Sequence, residues 1–218
     1  MFDSALTRQP VHPVLWAIAG TMIAIEVIFH AVSAGYLSPF LSRWHGYALF
    51  AFFDPMFEAA THGAGVSLHL LWSFLTHAFL HGGWLHLALN VAAFLGLGHM
   101  ISRAAGIGAF LVIFAVTAAC GALAFALLSD FRGPMVGASG VIFGFLGTVT
   151  SWQEIALRRA GLPRTEVWQR VFGLMVLNGV LDLAMGGMLA WEAHLGGFIG
   201  GWAMAYAYPP RAAGAAAA

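Results

Sequence analysis

Six apolar runs, each near the length needed to span a bilayer, constrain this chain more than any other feature. A helix crossing the hydrocarbon core needs about 20 mostly apolar residues. The runs cover residues 14–37, 84–101, 107–128, 139–157, 167–184 and 191–208, and Pro209 and Pro210 stop the last of them. With 61% hydrophobic and 8% charged residues, the chain has more apolar surface than one buried core can use. A soluble domain carries about 25% charged residues. The bilayer is therefore the expected solvent, and the expected fold class is an all-α membrane protein. Nine basic residues, all arginine, balance nine acidic ones, so no net field points to nucleic acid. The single cysteine, Cys120, excludes an internal disulfide and any CxxC chemistry.

The sequence reads as one domain, residues 14–208, between a short tail at 1–13 and another at 209–218. The connection over 38–71 is the long one, and Leu71–Leu80 leads from it into the second run. It holds Arg43, Trp44, His45, Asp54, Glu58, His62 and His69 among many aromatics, a mixture suited to the membrane interface. Arginine placement sets the orientation. With six spans, Arg8, Arg103, Arg158, Arg159, Arg164, Arg170 and Arg211 share one side, against Arg43 and Arg132 on the other. Positive charge favours the cytoplasmic side, so both termini are expected there and the long loop outside. With no targeting extension ahead of the first run, a bacterial inner membrane is the expected location.

Polar groups are costly in hydrocarbon, so polar residues inside apolar runs are the first candidates for function. Three sets stand out. Gly137-Ala138-Ser139-Gly140 opens the fourth run after Pro134. Ser139 there is either a helix cap or an exposed nucleophile beside free helix-start N–H groups that can bind an oxyanion. In the sixth run, His194, Gly197 and Gly201 share one helix face. Gly140 and Gly144 offer a matching small-residue face on the fourth. Such faces let membrane helices approach closely, as a Ser–His hydrogen bond between helices requires. His194 can equally be a structural bridge. Phe143, one turn below Ser139, is either packing or a ring stacked on the imidazole.

The third set runs from His81 to Asn90. His86 and Asn90 lie i, i+4 on one face, and both are donors suited to a tetrahedral oxyanion. His77 and His81 also have a ligand-like spacing. A catalytic zinc needs about three protein ligands, and neither HExxH nor a nearby carboxylate accompanies them, so no metal and no cofactor is expected.

Taken together and in order, these motifs resemble the rhomboid family over roughly residues 72–202. The GxSG of the family matches Gly137, Ser139 and Gly140. Its AHxxGxxxG setting matches Ala193, His194, Gly197 and Gly201. Its HxxxN matches His86 and Asn90, following His81. The resemblance implies a bundle of six transmembrane helices and a serine endopeptidase that cuts a peptide bond in or beside a transmembrane segment of another membrane protein. It implies Ser139 as nucleophile and His194 as base, with His86 and Asn90 supporting the oxyanion and Phe143 packed on the base. One departure is Trp72-Ser73, where many members carry Trp-Arg; this puts in question the usual anchoring of the first loop rather than the chemistry. No carboxylate is evident to orient His194, although Glu192 and Asp182 are near in sequence, and Glu26 has no assigned place. The glycine pair Gly186-Gly187 suggests a lid, and the fifth helix a side gate. The rival readings are a catalytically silent relative that binds client transmembrane helices, and a transporter, which would need an inverted repeat that the sequence lacks.

Overall fold

The computed structural model of the chain describes residues 10–184 and 189–211. The Gly186-Gly187 segment read as a lid, and Arg8, lie outside the described residues. Among the described residues, six helices have 17 to 22 residues: α1 (Pro13–Ser33), α5 (Trp84–Ala105), α6 (Ile107–Leu128), α7 (Ser139–Arg159), α8 (Thr165–Ala184) and α9 (Trp191–Ala207). Three shorter ones, α2 (Arg43–Phe50), α3 (Asp54–Ala59) and α4 (Leu68–Thr76), build the long first loop. An isolated antiparallel bridge pairs Phe52 with Met135.

By length and composition alone, α1, α5 and α6 are able to cross a membrane. The other three long helices are shorter or carry more polar residues within their apolar runs. α9 has 17 residues, α7 carries Ser151, Gln153 and Glu154 ahead of its terminal arginines, and α8 carries Arg170, Asn178 and Asp182 along its length.

Local chemistry sets the helix ends. Pro13 presets the first turn of α1, and His12 Nδ1 accepts from the Val14 N–H at 3.2 Å. The helix stops at Ser33, short of the expected residue 37. Gly35 takes φ +82°, and the Tyr36 and Gly35 N–H groups fold back onto the Ala31 and Val32 carbonyls, a glycine-dependent stop. Gly106, at φ +94°, alone separates α5 from α6.

Glycines on two faces of α9 fix the centre of the bundle. A Cβ on Gly197 would overlap the Gly140 carbonyl of α7, and one on Gly201 would overlap the Gly144 carbonyl. On the neighbouring face, Gly196 lies against the Cys120 carbonyl of α6, and Gly200 against the Cys120 side chain. α9 is thus a thin helix held between α6 and α7. Gly140 and Gly144 of α7 face back toward the Ala193 carbonyl and Thr117. Thr148 Oγ1 donates to the Gly201 carbonyl at 3.0 Å, adding a polar tie at this contact. Away from this seam, Phe94, Phe110, Phe114 and Phe145 form an aromatic cluster joining α5, α6 and α7, with Leu15, Ala19 and Met22 of α1 packed on the same core.

The first loop is tied down without an arginine at position 73. Ser73 is buried and donates to the Leu70 carbonyl of its own helix at 2.9 Å. Two other arginines hold the loop. Arg43 pairs with Glu26 of α1 through two hydrogen bonds of 2.6 and 2.9 Å, and Arg132 pairs with Asp54 at 2.9 Å and Glu58 at 2.6 Å. Trp72 Nε1 donates to Leu49 O and Thr76 Oγ1 to Phe50 O, clasping α4 to α2.

Gly201→Ala is expected to destabilise the fold by about 1–3 kcal/mol, because a backbone carbonyl cannot yield as a side chain can. Gly96→Ala, with nothing within 4 Å of the new methyl, is expected to be neutral or stabilising by up to about 1 kcal/mol. Thermal unfolding of the two variants side by side checks this.

Candidate active site

Ser139 is the first residue of α7, and the backbone leading to it is unusual. Gly137 has φ +122°, a conformation glycine adopts freely. A Cβ at this position would sit 2.9 Å from both Cε1 and Nε2 of His86, so glycine is also what lets the His86 ring approach. The Gly137 N–H donates to the His77 carbonyl at 3.0 Å, fixing the turn. The first-turn N–H groups of α7 have no intrahelical acceptor, and the helix start has no side-chain cap.

Across the glycine seam, His194 of α9 is 4% exposed. Its Nε2 lies 2.8 Å from Ser139 Oγ, and its Nδ1 lies 2.7 Å from the Asn178 side-chain oxygen of α8. These partners fix the protonation pattern of the neutral ring. A carbonyl oxygen only accepts, so Nδ1 carries the proton. Nε2 is then the acceptor, and the Ser139 hydroxyl donates to it. That is the arrangement in which an imidazole can take a proton from a serine. Phe143 stacks on the His194 ring with centroids 4.3 Å apart and planes 4° from parallel, which fixes the ring plane.

The third motif lies on the other side of Ser139. The Gly82 N–H donates to His86 Nδ1 at 3.3 Å, which leaves Nε2 of the neutral ring as the protonated nitrogen. It is Nε2 that faces Gly137. Asn90 is 5% exposed, and its amide group donates to the His86 carbonyl of its own helix at 2.8 Å, with its oxygen buried and unpartnered. Asn90 therefore braces the turn that carries His86. His77 and His81 do not act as a pair: His77 Nδ1 donates to the Ser73 carbonyl at 2.8 Å, whereas the His81 ring packs edge-on against His86 with centroids 5.1 Å apart.

The structure thus brings Ser139, His194, Phe143, His86 and Gly137 together around one point, with Gly140, Gly144, Gly197 and Gly201 forming the contact that makes this possible. Two elements of the arrangement go beyond the sequence motifs. Asn178 supplies the partner of His194 that no carboxylate supplies; Asp182 instead accepts from the Leu189 N–H at 3.3 Å. Asn178 is a polar residue in the apolar run Val176-Leu177-Asn178-Gly179-Val180, the same signal that singles out the other site residues. Glu26 is the partner of Arg43, which also donates to the His81 carbonyl. Glu26 holds the guanidinium well above its ordinary range through their hydrogen bonds, so the positive charge is permanent.

The rhomboid domain family model matches residues 69–211, well over half of the chain. The chain belongs to the rhomboid family. With its long apolar helices, this rhomboid is an integral membrane protein. It is 33% identical over 144 residues to the rhomboid protease GluP of Bacillus subtilis, covering 66% of this chain and 27% of that protein. It is 28% identical over 208 residues to the rhomboid protease GlpG of Salmonella typhi, covering 93% of this chain and 65% of that one. It is 34% identical over 136 residues to GlpG of Photorhabdus laumondii, covering 62% and 46%. This rhomboid chain therefore spans from about a quarter to just under two thirds of the length of these relatives.

Asn178→Ala is expected to slow labelling of Ser139 by a fluorophosphonate about 100-fold, the order of loss that a misplaced catalytic group brings. Asn178→Asp, which keeps the acceptor, is expected to retain most of the rate. Labelling rates of the purified variants check both.

Proposed function

We propose that this rhomboid is an intramembrane serine endopeptidase that hydrolyses a peptide bond in or next to a transmembrane segment of other membrane proteins. The single observation that carries this reading is the hydrogen bond of 2.8 Å between Ser139 Oγ and His194 Nε2, made by a ring whose other nitrogen is already occupied by Asn178. In this reading His194 takes the Ser139 proton as Oγ attacks the scissile carbonyl. His86 Nε2–H, the Ser139 N–H and the Asn90 amide stabilise the oxyanion, the last after turning from the His86 carbonyl. His194 then gives its proton to the leaving amine. A water, deprotonated by His194, releases the acyl-enzyme and restores the serine.

The architecture that goes with this function is a bundle of six spans, α1 and α5 to α9, in one domain over residues 14–208. What supports counting α7, α8 and α9 as spans is the glycine seam between α7 and α9 and, for α8, the contact of Asn178 with His194 and an apolar, exposed face at Phe172, Met175 and Val176. The protein sits in a bacterial inner membrane with both termini in the cytoplasm, an orientation supported by the arginine distribution. Arg43 and Arg132 on the outer side are each neutralised by acidic partners. α8 is the side of the bundle by which a substrate helix reaches Ser139. Substrates are transmembrane helices that unwind readily, and no cofactor takes part.

The test is cleavage of a transmembrane substrate by purified protein in detergent. Wild type is expected to cut, while Ser139→Ala and His194→Ala each lose activity by a factor of about 10⁴ or more, as residues acting as a unit do. Absence of cleavage by folded wild type across several substrates would move the reading to a client-binding relative. Equal cleavage by all three would remove Ser139 and His194 from the mechanism.

A further inference from the structure

His86 is held by a peptide group that is itself gripped from the opposite side. The bond between His81 and Gly82 presents its N–H to His86 Nδ1 at 3.3 Å. The carbonyl oxygen of that same peptide accepts from Arg43 and, at 2.8 Å, from the Tyr47 hydroxyl. Arg43 is in turn locked on Glu26, which is 1% exposed within α1. A cation at the oxygen end of a peptide group polarises it and makes its N–H a stronger donor. It also stops the group from rotating, in a bend where Gly82 and Gly83, the latter at φ +145°, would otherwise leave the backbone free.

We infer that Arg43, held by Glu26, is a positioning residue that fixes the ring form of His86 through the 81–82 peptide. The Gly82 N–H can donate only to an unprotonated Nδ1, so the proton of the neutral ring resides on Nε2, the nitrogen facing Gly137. If the peptide turned over, its carbonyl would face Nδ1 and draw the proton there, and Nε2 would become an acceptor, repelling an oxyanion instead of binding it. The first loop, through one arginine, thereby decides whether His86 is a donor. This role rests on the reading of His86 as an oxyanion donor, but the state of the ring is measurable without it.

The experiment compares wild type with Arg43→Gln, Tyr47→Phe and the double variant Glu26→Gln/Arg43→Gln, each as full chain in detergent. The double variant leaves no unpaired buried charge, and it serves where Arg43→Gln alone fails to fold. Nitrogen-15 shifts of the histidine rings, with the His86 signals assigned by their loss in His86→Ala, report the tautomer. Wild type is expected to show His86 protonated at Nε2. The arginine variants are expected to show a mixed or Nδ1-protonated ring, and Tyr47→Phe a smaller change in the same direction. An unchanged Nε2 tautomer in the folded arginine variants overturns the inference, whatever their activity. Kinetics on a transmembrane substrate supply the second arm: a fall in kcat of about 10- to 100-fold with KM unchanged is expected, and an unaltered kcat overturns the role in positioning. Failure of wild type itself to cleave would instead count against the proposed function and leave the ring measurement decisive.

Discussion

Everything around Ser139 depends on how near α9 can come to α7. A serine and a histidine have short side chains, and a hydrogen bond between them across two helices is possible only where the backbones nearly touch. Gly197 and Gly201 of α9 lie directly on the Gly140 and Gly144 carbonyls of α7, and Gly140 in turn clears the Ala193 carbonyl, while the missing Cβ of Gly144 makes room for Thr117 of α6. In lipid there is no hydrophobic force to press helices together, so the contact has to come from close packing and polar ties. The Thr148 bond to the Gly201 carbonyl is one such tie. Because Gly196 and Gly200 do the same toward α6, α9 is fixed from two directions, and the position of His194 follows from the backbone rather than from its own side chain.

The first loop poses the opposite problem. It mixes charged residues with exposed aromatic and apolar ones such as Phe40 and Trp44, yet it must hold the bend at 81–83 that leads into α5. Its ion pairs meet that need at fixed points. Glu26 is buried in α1 and acquires a partner only because α2 lays Arg43 over it, where the guanidinium also sits 5.0 Å above the Phe29 ring. Gly46 lets α2 approach that ring. Arg132 fastens the middle of the loop, at α3, to the segment that precedes α7. A loop anchored near its start and again at its middle does not require the arginine that many family members have at position 73.

Much of this was legible from the sequence. α6 spans the expected 107–128, α5 begins at Trp84 and α7 at Ser139, because apolar length and a glycine-bounded start are local properties. Ser139, His194, His86 and Asn90 were legible for a similar reason: each is a polar group in an apolar run. What escaped were relations between distant positions. Glu26 and Arg43 are separated by 17 residues and a change of helix, and no periodicity links them. Asn178 carried the same polar-in-apolar signal as His194, but a neutral amide attracts less notice than a carboxylate when a partner for histidine is sought. The second glycine face of α9 was hidden because Gly196-Gly197 and Gly200-Gly201 read as one small-residue stripe until two different neighbours are seen on it.

The choice of an amide at position 178 has a physical logic in this setting. A carboxylate there would raise the basicity of His194, but it would have to be ionised in a low-dielectric interior, at a desolvation cost of several kcal/mol. An amide oxygen fixes the same tautomer and carries no charge. The Gly82 N–H does the corresponding work for His86, again with a neutral group. Both imidazoles are therefore oriented by neutral dipoles, while the formal charge that stiffens the region, Arg43 with Glu26, is kept one peptide group away from the nearer ring. An arrangement of this kind holds the two rings in opposite roles, one accepting at Nε2 and the other donating from it, on either side of a single serine. The difference between them comes entirely from which backbone or side-chain atom occupies Nδ1.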